Sequence, residues 1–120
     1  MLQAAFSQLC FLRSKESNAP AAYQQAVSSA SATDAVLTKA ITGRWARGIR
    51  NVLIQTVEEA NLPIPDYPVH AVLTASLRTS GYVEFMPLWA GQRANQAPAI
   101  KVGQIIQMLV REAEARYIRM

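Results

Sequence analysis

Residues 102–117 read VGQIIQMLVREAEARY, and this stretch decides the fold class of the chain. Its apolar side chains recur every three or four residues, which is the spacing of a single stripe along an α-helix. Charged and amide side chains fill the opposite face and suit solvent. The pattern predicts a helix over residues 99–118 whose inward stripe consists of Val102, Ile105, Ile106, Leu109, Val110, Ala113 and Tyr117.

Three more helices are expected upstream of this one. The first begins after Asn18, a favourable N-cap residue, and runs to about Ala30 with Pro20 in its first turn. The others cover residues 46–60 and 68–79. Helical periodicity turns their apolar side chains inward, namely Ile49, Val52, Leu53, Val57, Val72, Leu73 and Leu77.

Two stretches, residues 6–12 and 34–41, are ambiguous between a short strand and a helix. Prolines at positions 63, 65 and 68 force an extended connection, because each fixes its own backbone and disfavours helix in the residue before it. A chain of 120 residues builds one domain, or part of one. The sequence thus predicts a mainly α polypeptide.

Composition excludes several classes of protein and site. Twelve basic against eight acidic residues leave a net charge of +4, which favours anionic partners without requiring one. The single cysteine excludes an internal disulfide, and with the single histidine it excludes the usual zinc clusters. The apolar run near the start is too short for a membrane span and no basic residue precedes it, so we expect a cytoplasmic protein without a metal site or a membrane partner.

No self-contained catalytic set is visible among the polar residues. His70 has no carboxylate three or four residues later to orient it, so we interpret it as an ordinary packing or surface histidine. Cys10 lies between Leu9 and Phe11 and is interpreted as a small buried apolar residue rather than a nucleophile. The acidic residues fall mostly on polar faces or in turns, where solvation is their usual role.

Arginines recur every three residues, at Arg44, Arg47 and Arg50, in a segment that begins Thr42-Gly43. Such a row around a helix start suits a phosphate or a nucleic-acid backbone, and Trp45 is available for stacking. The alternative is that the arginines bond neighbouring carbonyls and acids and so tie the segment down. The residues alone leave both interpretations open.

The stretch Met86-Pro-Leu-Trp-Ala-Gly-Gln92 is the most informative for ligand binding. An apolar run meets two small residues, which let backbone approach a flat ligand, and an amide follows at once at Gln92. A core-packing turn before the last helix is the alternative interpretation.

These pieces, in this order, resemble the C-terminal part of the nitronate monooxygenases, formerly called 2-nitropropane dioxygenases. The resemblance covers about residues 11–118. The threonine-glycine-arginine block and the tryptophan-alanine-glycine-glutamine block carry it as a pair, since either alone is weak. The matching blocks are Phe11-Leu-Arg-Ser-Lys-Glu-Ser17, residues 19–26, Val36-Leu-Thr-Lys-Ala-Ile-Thr-Gly-Arg-Trp-Ala-Arg-Gly-Ile-Arg-Asn51, Leu62-Pro63, Tyr67-Pro68 and Pro87-Leu-Trp-Ala-Gly-Gln92.

The resemblance implies an FMN-dependent TIM-barrel enzyme of the α/β class that oxidises alkyl nitronates with dioxygen to a carbonyl compound and nitrite. It implies that this chain is the C-terminal helical segment of such an enzyme, with the barrel itself largely absent. Residues 1–12 then correspond to a remnant of the last barrel-strand region, and residues 13–120 to the helical segment. The family's catalytic histidine belongs to the earlier barrel portion and His70 does not match it, so the resemblance places no catalytic residue in this chain.

The resemblance also implies which residues lie nearest the flavin and the substrate: Trp89 as a wall, Gly91 for close approach and Gln92 as a hydrogen-bonding group. The family's glycine-threonine pair at the phosphate falls on Gln8 and Leu9, which supply neither bare backbone nor a hydroxyl. We therefore expect the chain alone to bind FMN weakly or not at all and to be inactive. The simplest account is that residues 1–10 are foreign to the family, as after a truncation or an altered reading frame.

The implied partners of the complete enzyme are a small-molecule nitronate and dioxygen, with no nucleic acid. A rival hypothesis is a small basic module that binds an anionic partner or nucleic acid through the arginines at positions 44, 47 and 50. A second rival is a degenerate remnant whose exposed apolar faces self-associate when no barrel covers them.

Overall fold

The computed structural model describes residues 9–119. Residues 9–12 are helical, and two 3₁₀ turns lie at Val83–Phe85 and Ala94–Gln96. The mainly α prediction is confirmed, with one small sheet added to it. In chain order the longer elements are α1 (Ala21–Ser29), β1 (Ala35–Thr38), β2 (Ala46–Ile49), α2 (Val52–Glu59), α3 (Val69–Arg78) and α4 (Val102–Arg119).

The expected boundaries at the start of the chain need two corrections. Pro20, and not Asn18, occupies the N-cap position of α1, without a side-chain cap bond. Residues 9–12 belong to the expected barrel-strand region but are helical. Residues 1–8 lie outside the described residues, and the division of the chain at residue 12 stays a prediction.

β1 and β2 form an antiparallel pair in which Ala35 lies opposite Ile49 and Thr38 lies opposite Ala46. The ambiguous stretch 34–41 is therefore a strand over part of its length. The helix predicted over residues 46–60 is wrong in its first third, which is β2. Helix begins only at Val52, because the Asn51 side chain accepts a hydrogen bond from the Ile54 backbone N–H and caps α2.

A third extended segment, residues 88–90, lies along the other side of β2. The Ile49 N–H donates to the Leu88 carbonyl at 2.8 Å, and the Ala90 N–H donates to the Arg47 carbonyl at 3.3 Å. Gly48 stands opposite Trp89 between these two bonds. The short sheet is thereby widened by a segment for which the sequence analysis predicted no strand.

Two groups of buried apolar residues hold these elements together. The first cluster joins α1, β2, residues 88–90 and α4. The second cluster joins the loop after β1 to α2. Main members of the first are Leu9, Cys10, Val27, Ile49, Leu88, Ala90 and Ile105, and those of the second are Ala40, Ile41, Leu53 and Ile54.

Helix α3 is oriented opposite to the prediction. Its buried residues are polar: His70 Nε2 lies 2.6 Å from the Ala40 carbonyl oxygen, and the Thr74 hydroxyl donates to the Ile41 carbonyl at 2.7 Å. Since the loop after β1 needs donors for these carbonyls, the polar side of α3 faces it. The apolar residues expected to be buried, Val72, Leu73 and Leu77, are instead exposed, by 72%, 64% and 41%.

Helix α4 is confirmed, but its expected stripe is only partly buried. Ile105 is fully buried in the first cluster, and Leu109 packs against it from a half-buried position. Ile106, Val110 and Tyr117 are exposed. Periodicity identified the apolar face correctly, whereas the neighbouring elements cover only part of its length. Val52 at the start of α2 is likewise exposed and not inward.

Candidate functional site

The segment that carries the predicted site residues has one face in the core and one face outside. Leu88 and Ala90 are buried in the first cluster. Trp89 lies between them and points the other way, as alternation along an extended segment requires. Its indole is 36% exposed and lies over Gly48, where an added Cβ would come 3.7 Å from the ring. The core-packing interpretation therefore holds for Leu88 and Ala90 but not for Trp89.

The backbone carbonyl of Trp89 is held by a residue that the sequence analysis missed. Gly48 and Trp89 form a pair without hydrogen bonds to each other, so the polar backbone groups of Trp89 point away from β2. The Tyr23 hydroxyl on α1 donates to this carbonyl at 2.6 Å. Burial raises the pKa of Tyr23 to about 12, with the bond to Trp89 opposing the rise. No local signal reveals this contact, because the two residues lie 66 positions apart.

Beyond Ala90 the chain turns away from the sheet and leaves open space. A Cβ placed on Gly91 would meet no atom within 4 Å, and Gln92 is exposed. The Ala94 N–H donates to the Gly91 carbonyl at 3.1 Å and starts the following 3₁₀ turn. Trp89, Gly91 and Gln92 are thus accessible on one surface segment, and their roles towards a ligand stay predictions.

A cavity of about 400 Å³ lies on the opposite side of this segment. Leu88 and Ile49 form part of its wall, together with Asp34, Asn51 and Glu84. None of the three predicted site residues lines it. The cavity and the candidate site are therefore separate features of the fold.

The three arginine side chains of this row all contact other residues of the chain. The Arg47 guanidinium donates to the Ala35 carbonyl at 3.3 Å, and Arg50 forms an ion pair with Glu58 at 3.0 Å. The Arg44 guanidinium lies 4.0 Å from the centre of the Tyr67 ring. These contacts confirm the interpretation that the arginines tie the segment down, and nothing in them supports the anion-binding module.

The glycine of the threonine-glycine-arginine block has a structural role. Gly43 adopts φ +92°, a conformation that other residues rarely adopt. A Cβ on it would lie 2.6 Å from the Pro65 carbonyl oxygen and 2.7 Å from the Tyr67 backbone nitrogen. The block therefore requires glycine to let the loop after β1 approach the proline-rich connection.

His70 and Cys10 are both buried, which agrees with their interpretation as packing residues. His70 is buried, with Nε2 bonded to Ala40, and its Nδ1 has no hydrogen-bond partner among residues 9–119. Cys10 is fully buried. Burial raises the pKa of its thiol, Glu112 adds to the rise and Arg13 opposes it, so the reactive thiolate is disfavoured.

Predictions from the sequence also concern the phosphate end of the flavin site and metal binding. Leu9 is only 5% exposed and its side chain belongs to the first cluster, while Gln8 lies outside the described residues. Within the part of the chain that the structure describes, no group of three acidic, histidine or cysteine side chains is placed to hold a metal ion. In that same part, no helix is both long and apolar enough to cross a membrane.

Comparison with protein families and curated proteins gives a consistent match. Residues 4–112 match the family model described as nitronate monooxygenase, so the expectation that residues 1–10 are foreign to the family is wrong for residues 4–10. A probable nitronate monooxygenase of Staphylococcus saprophyticus is 37% identical over 107 residues, which are 86% of this chain and 30% of that protein. One of Staphylococcus aureus strain Newman is 34% identical over 106 residues. The chain spans about 30% of the length of these relatives.

Solved structures agree with the sequence relatives. A nitroalkane oxidase from Streptomyces ansochromogenes matches 93% of this chain with a TM-score of 0.76 and 32% identity, over 33% of its own chain. FabK from Thermotoga maritima matches 90% with a TM-score of 0.67 and 25% identity, over 36% of its own chain. Both are TIM-barrel enzymes, so the helices and small sheet described above correspond to about one third of that fold. On the family match and these identities, the chain belongs to the nitronate monooxygenase family of oxidoreductases.

Proposed function

We propose that this chain supplies one side of the active site of an FMN-dependent nitronate monooxygenase. The observation that carries the proposal is the two-faced segment of residues 88–92. Leu88 and Ala90 fix it in the core, whereas Trp89 and Gln92 stay accessible next to the open space at Gly91. A rigid strip of backbone with accessible side chains on one side is what a preorganised binding wall requires.

The residues present fit one wall of a flavin site. The flat indole of Trp89 matches the side of a planar ring, and Gly91 leaves room for that ring to approach the backbone. The Gln92 amide carries both donors and an acceptor and can hydrogen-bond a polar edge of the flavin or the nitronate. The flavin, when bound, supplies the redox chemistry by which an alkyl nitronate and dioxygen give a carbonyl compound and nitrite.

The described residues do not fit the phosphate end of the same cofactor. Leu9 is committed to the first cluster, and the arginines at positions 44, 47 and 50 are engaged within the chain. Phosphate is normally held by backbone N–H groups and cationic forks that point outward. We therefore expect the 120-residue polypeptide to bind FMN weakly or not at all and to show no activity by itself.

A chimera tests the proposal directly. The matched third of the Streptomyces nitroalkane oxidase is replaced by this chain, and flavin content and nitronate-dependent oxygen uptake are measured. The oxidase keeps its own residues up to the position that matches Cys10, so that its own phosphate end is retained, and residues 11–120 of this chain replace the rest of the matched third. Activity in this chimera is expected. A folded chimera that holds flavin but consumes no oxygen with any alkyl nitronate contradicts the proposal.

Two glycine substitutions in that chimera separate binding from folding. Gly91→Ala adds a methyl group that meets nothing within the chain, so it is expected to lower flavin or nitronate affinity without lowering stability. Gly103→Ala on α4 is the matched control, since its added Cβ also meets nothing within 4 Å. Equal kinetics for the two variants would exclude the role of Gly91.

A further inference from the structure

The peptide group between Trp89 and Ala90 is held from both sides. Its N–H donates to the Arg47 carbonyl on β2 at 3.3 Å, which is long for such a bond. Its carbonyl accepts from the Tyr23 hydroxyl at 2.6 Å. Of the two bonds, the one from Tyr23 has the shorter donor–acceptor distance.

The orientation of this peptide group sets the direction in which the chain leaves the sheet. The bonds to β2 end at Ala90, and Gly91 follows in open space. Rotation about the Trp89 and Ala90 torsions on either side of this peptide group would therefore shift Gly91 and Gln92, which follow it. A bond to the Trp89 carbonyl opposes that rotation, because rotation would carry the oxygen away from its donor.

Tyr23 is itself well placed to act as an anchor. Its ring packs against the first cluster from α1, so the hydroxyl is fixed by a different element from the one it holds. A packed aromatic ring fixes the phenol position with few rotatable bonds. The phenol stays protonated at neutral pH, which keeps it a donor.

We propose that Tyr23 is a positioning residue of the active site, which sets the placement of Gly91 and Gln92 by holding the Trp89 carbonyl. The proposal rests on the proposed function, because it assigns those residues a place beside flavin and substrate. Tyr23 itself touches neither in this assignment. It acts through the backbone that it holds.

The first test measures local opening in the 120-residue chain. Tyr23→Phe removes only the hydroxyl, and hydrogen exchange of the Ala90 amide, which donates to Arg47, is expected to speed up about fivefold, as for the loss of one ordinary hydrogen bond. Exchange in α2 should not change. Tyr82→Phe is the matched control, since Tyr82 is 65% exposed. Unchanged exchange of the Ala90 amide in Tyr23→Phe would overturn the proposal.

A second variant tests whether the effect of Tyr23→Phe comes only from a general loss of structure. Incorporation of 3-fluorotyrosine at position 23 keeps the ring and makes the hydroxyl a stronger donor. Exchange of the Ala90 amide should then slow relative to the unmodified chain. A change of the same size in α2 and at the Ala90 amide would mean a global effect and would contradict a positioning role.

The second test uses the chimera and separates the two proposals. With Tyr23→Phe, flavin content should stay unchanged while kcat/KM for the nitronate falls about tenfold, as expected for a misplaced substrate-binding group. Faster exchange with unchanged kcat/KM would overturn the positioning role and leave the proposed function intact. A chimera that takes up no flavin contradicts the proposed function. Amide hydrogen exchange in the 120-residue chain then decides by itself whether Tyr23 anchors this backbone.

Discussion

His70 Nε2 lies 2.6 Å from the carbonyl oxygen of Ala40, so a polar side chain of α3 holds the loop that follows β1. Both residues are buried, and Thr74 makes the equivalent bond to Ile41 one turn later along α3. The contact explains why α3 turns its polar side inward. It also gives the first prediction.

His70→Leu should lower the free energy of unfolding by about 2 kcal/mol, because it leaves the buried Ala40 carbonyl without a donor. Thr74→Val should cost a similar amount for the Ile41 carbonyl. Thr79→Val, at an exposed position, serves as the control. Urea denaturation of the three variants measures the difference, and equal midpoints for His70→Leu and Thr79→Val would contradict it.

Gly43→Ala should destabilise the chain by about 3 kcal/mol, since backbone strain at positive φ adds to an overlap with backbone atoms. The overlap is with Pro65 and Tyr67. Gly81 has a similar φ of +88° but open space around it, so Gly81→Ala should cost only the strain, about 1 kcal/mol. Thermal denaturation compares the two, and a cost that is the same for both would show that the close approach at Gly43 is unimportant.

Alkaline pH should destabilise the chain through Tyr23. Its pKa is raised to about 12 in the folded chain, whereas an unfolded chain releases this proton at about pH 10. The contribution is complete below about pH 10 and is lost as the pH rises towards about 12. Tyr23→Phe should remove this part of the alkaline loss and Tyr82→Phe should not. Denaturation midpoints at neutral and alkaline pH decide between these outcomes.

Self-association through an exposed apolar face stays a prediction, and α3 is the surface on which to test it. Val72 and Leu73 are largely exposed on a helix whose one charged residue, Arg78, lies in its last turn. The double change Val72→Lys and Leu73→Lys should reduce concentration-dependent association in sedimentation velocity. The same change at Ile106 and Val110 on α4 is the control. An α4 variant that dissociates when the α3 variant does not would exclude α3.

Much of the helical structure could be predicted from the sequence because helices depend on neighbours three and four residues apart. Helices α1, α3 and α4 lie close to their predicted ranges. The burial of Cys10 and the structural use of the arginines were also among the predicted interpretations. Each of these depends on composition or spacing within a short window.

The missed features all depend on partners that are distant in sequence. Residues 46–49 form a strand because β1 and residues 88–90 flank them, and the latter segment lies about 40 positions away. Periodicity gave α3 an apolar stripe but could not show that the carbonyls of Ala40 and Ile41 would draw its polar side inward. Tyr23 was missed for the same reason, since nothing near it identifies Trp89 as its partner.

The core of this fold and its candidate site share one strip of backbone, with Leu88 and Ala90 on one side and Trp89 on the other. Protein engineers who wish to make the chain more robust should therefore leave this strip untouched, because a larger side chain at Leu88 would shift the indole behind it. Helix α4 offers another target: Gly103→Ala gains helix propensity, and its added Cβ meets no atom within 4 Å, so the chain can be made more robust there without a change to the strip.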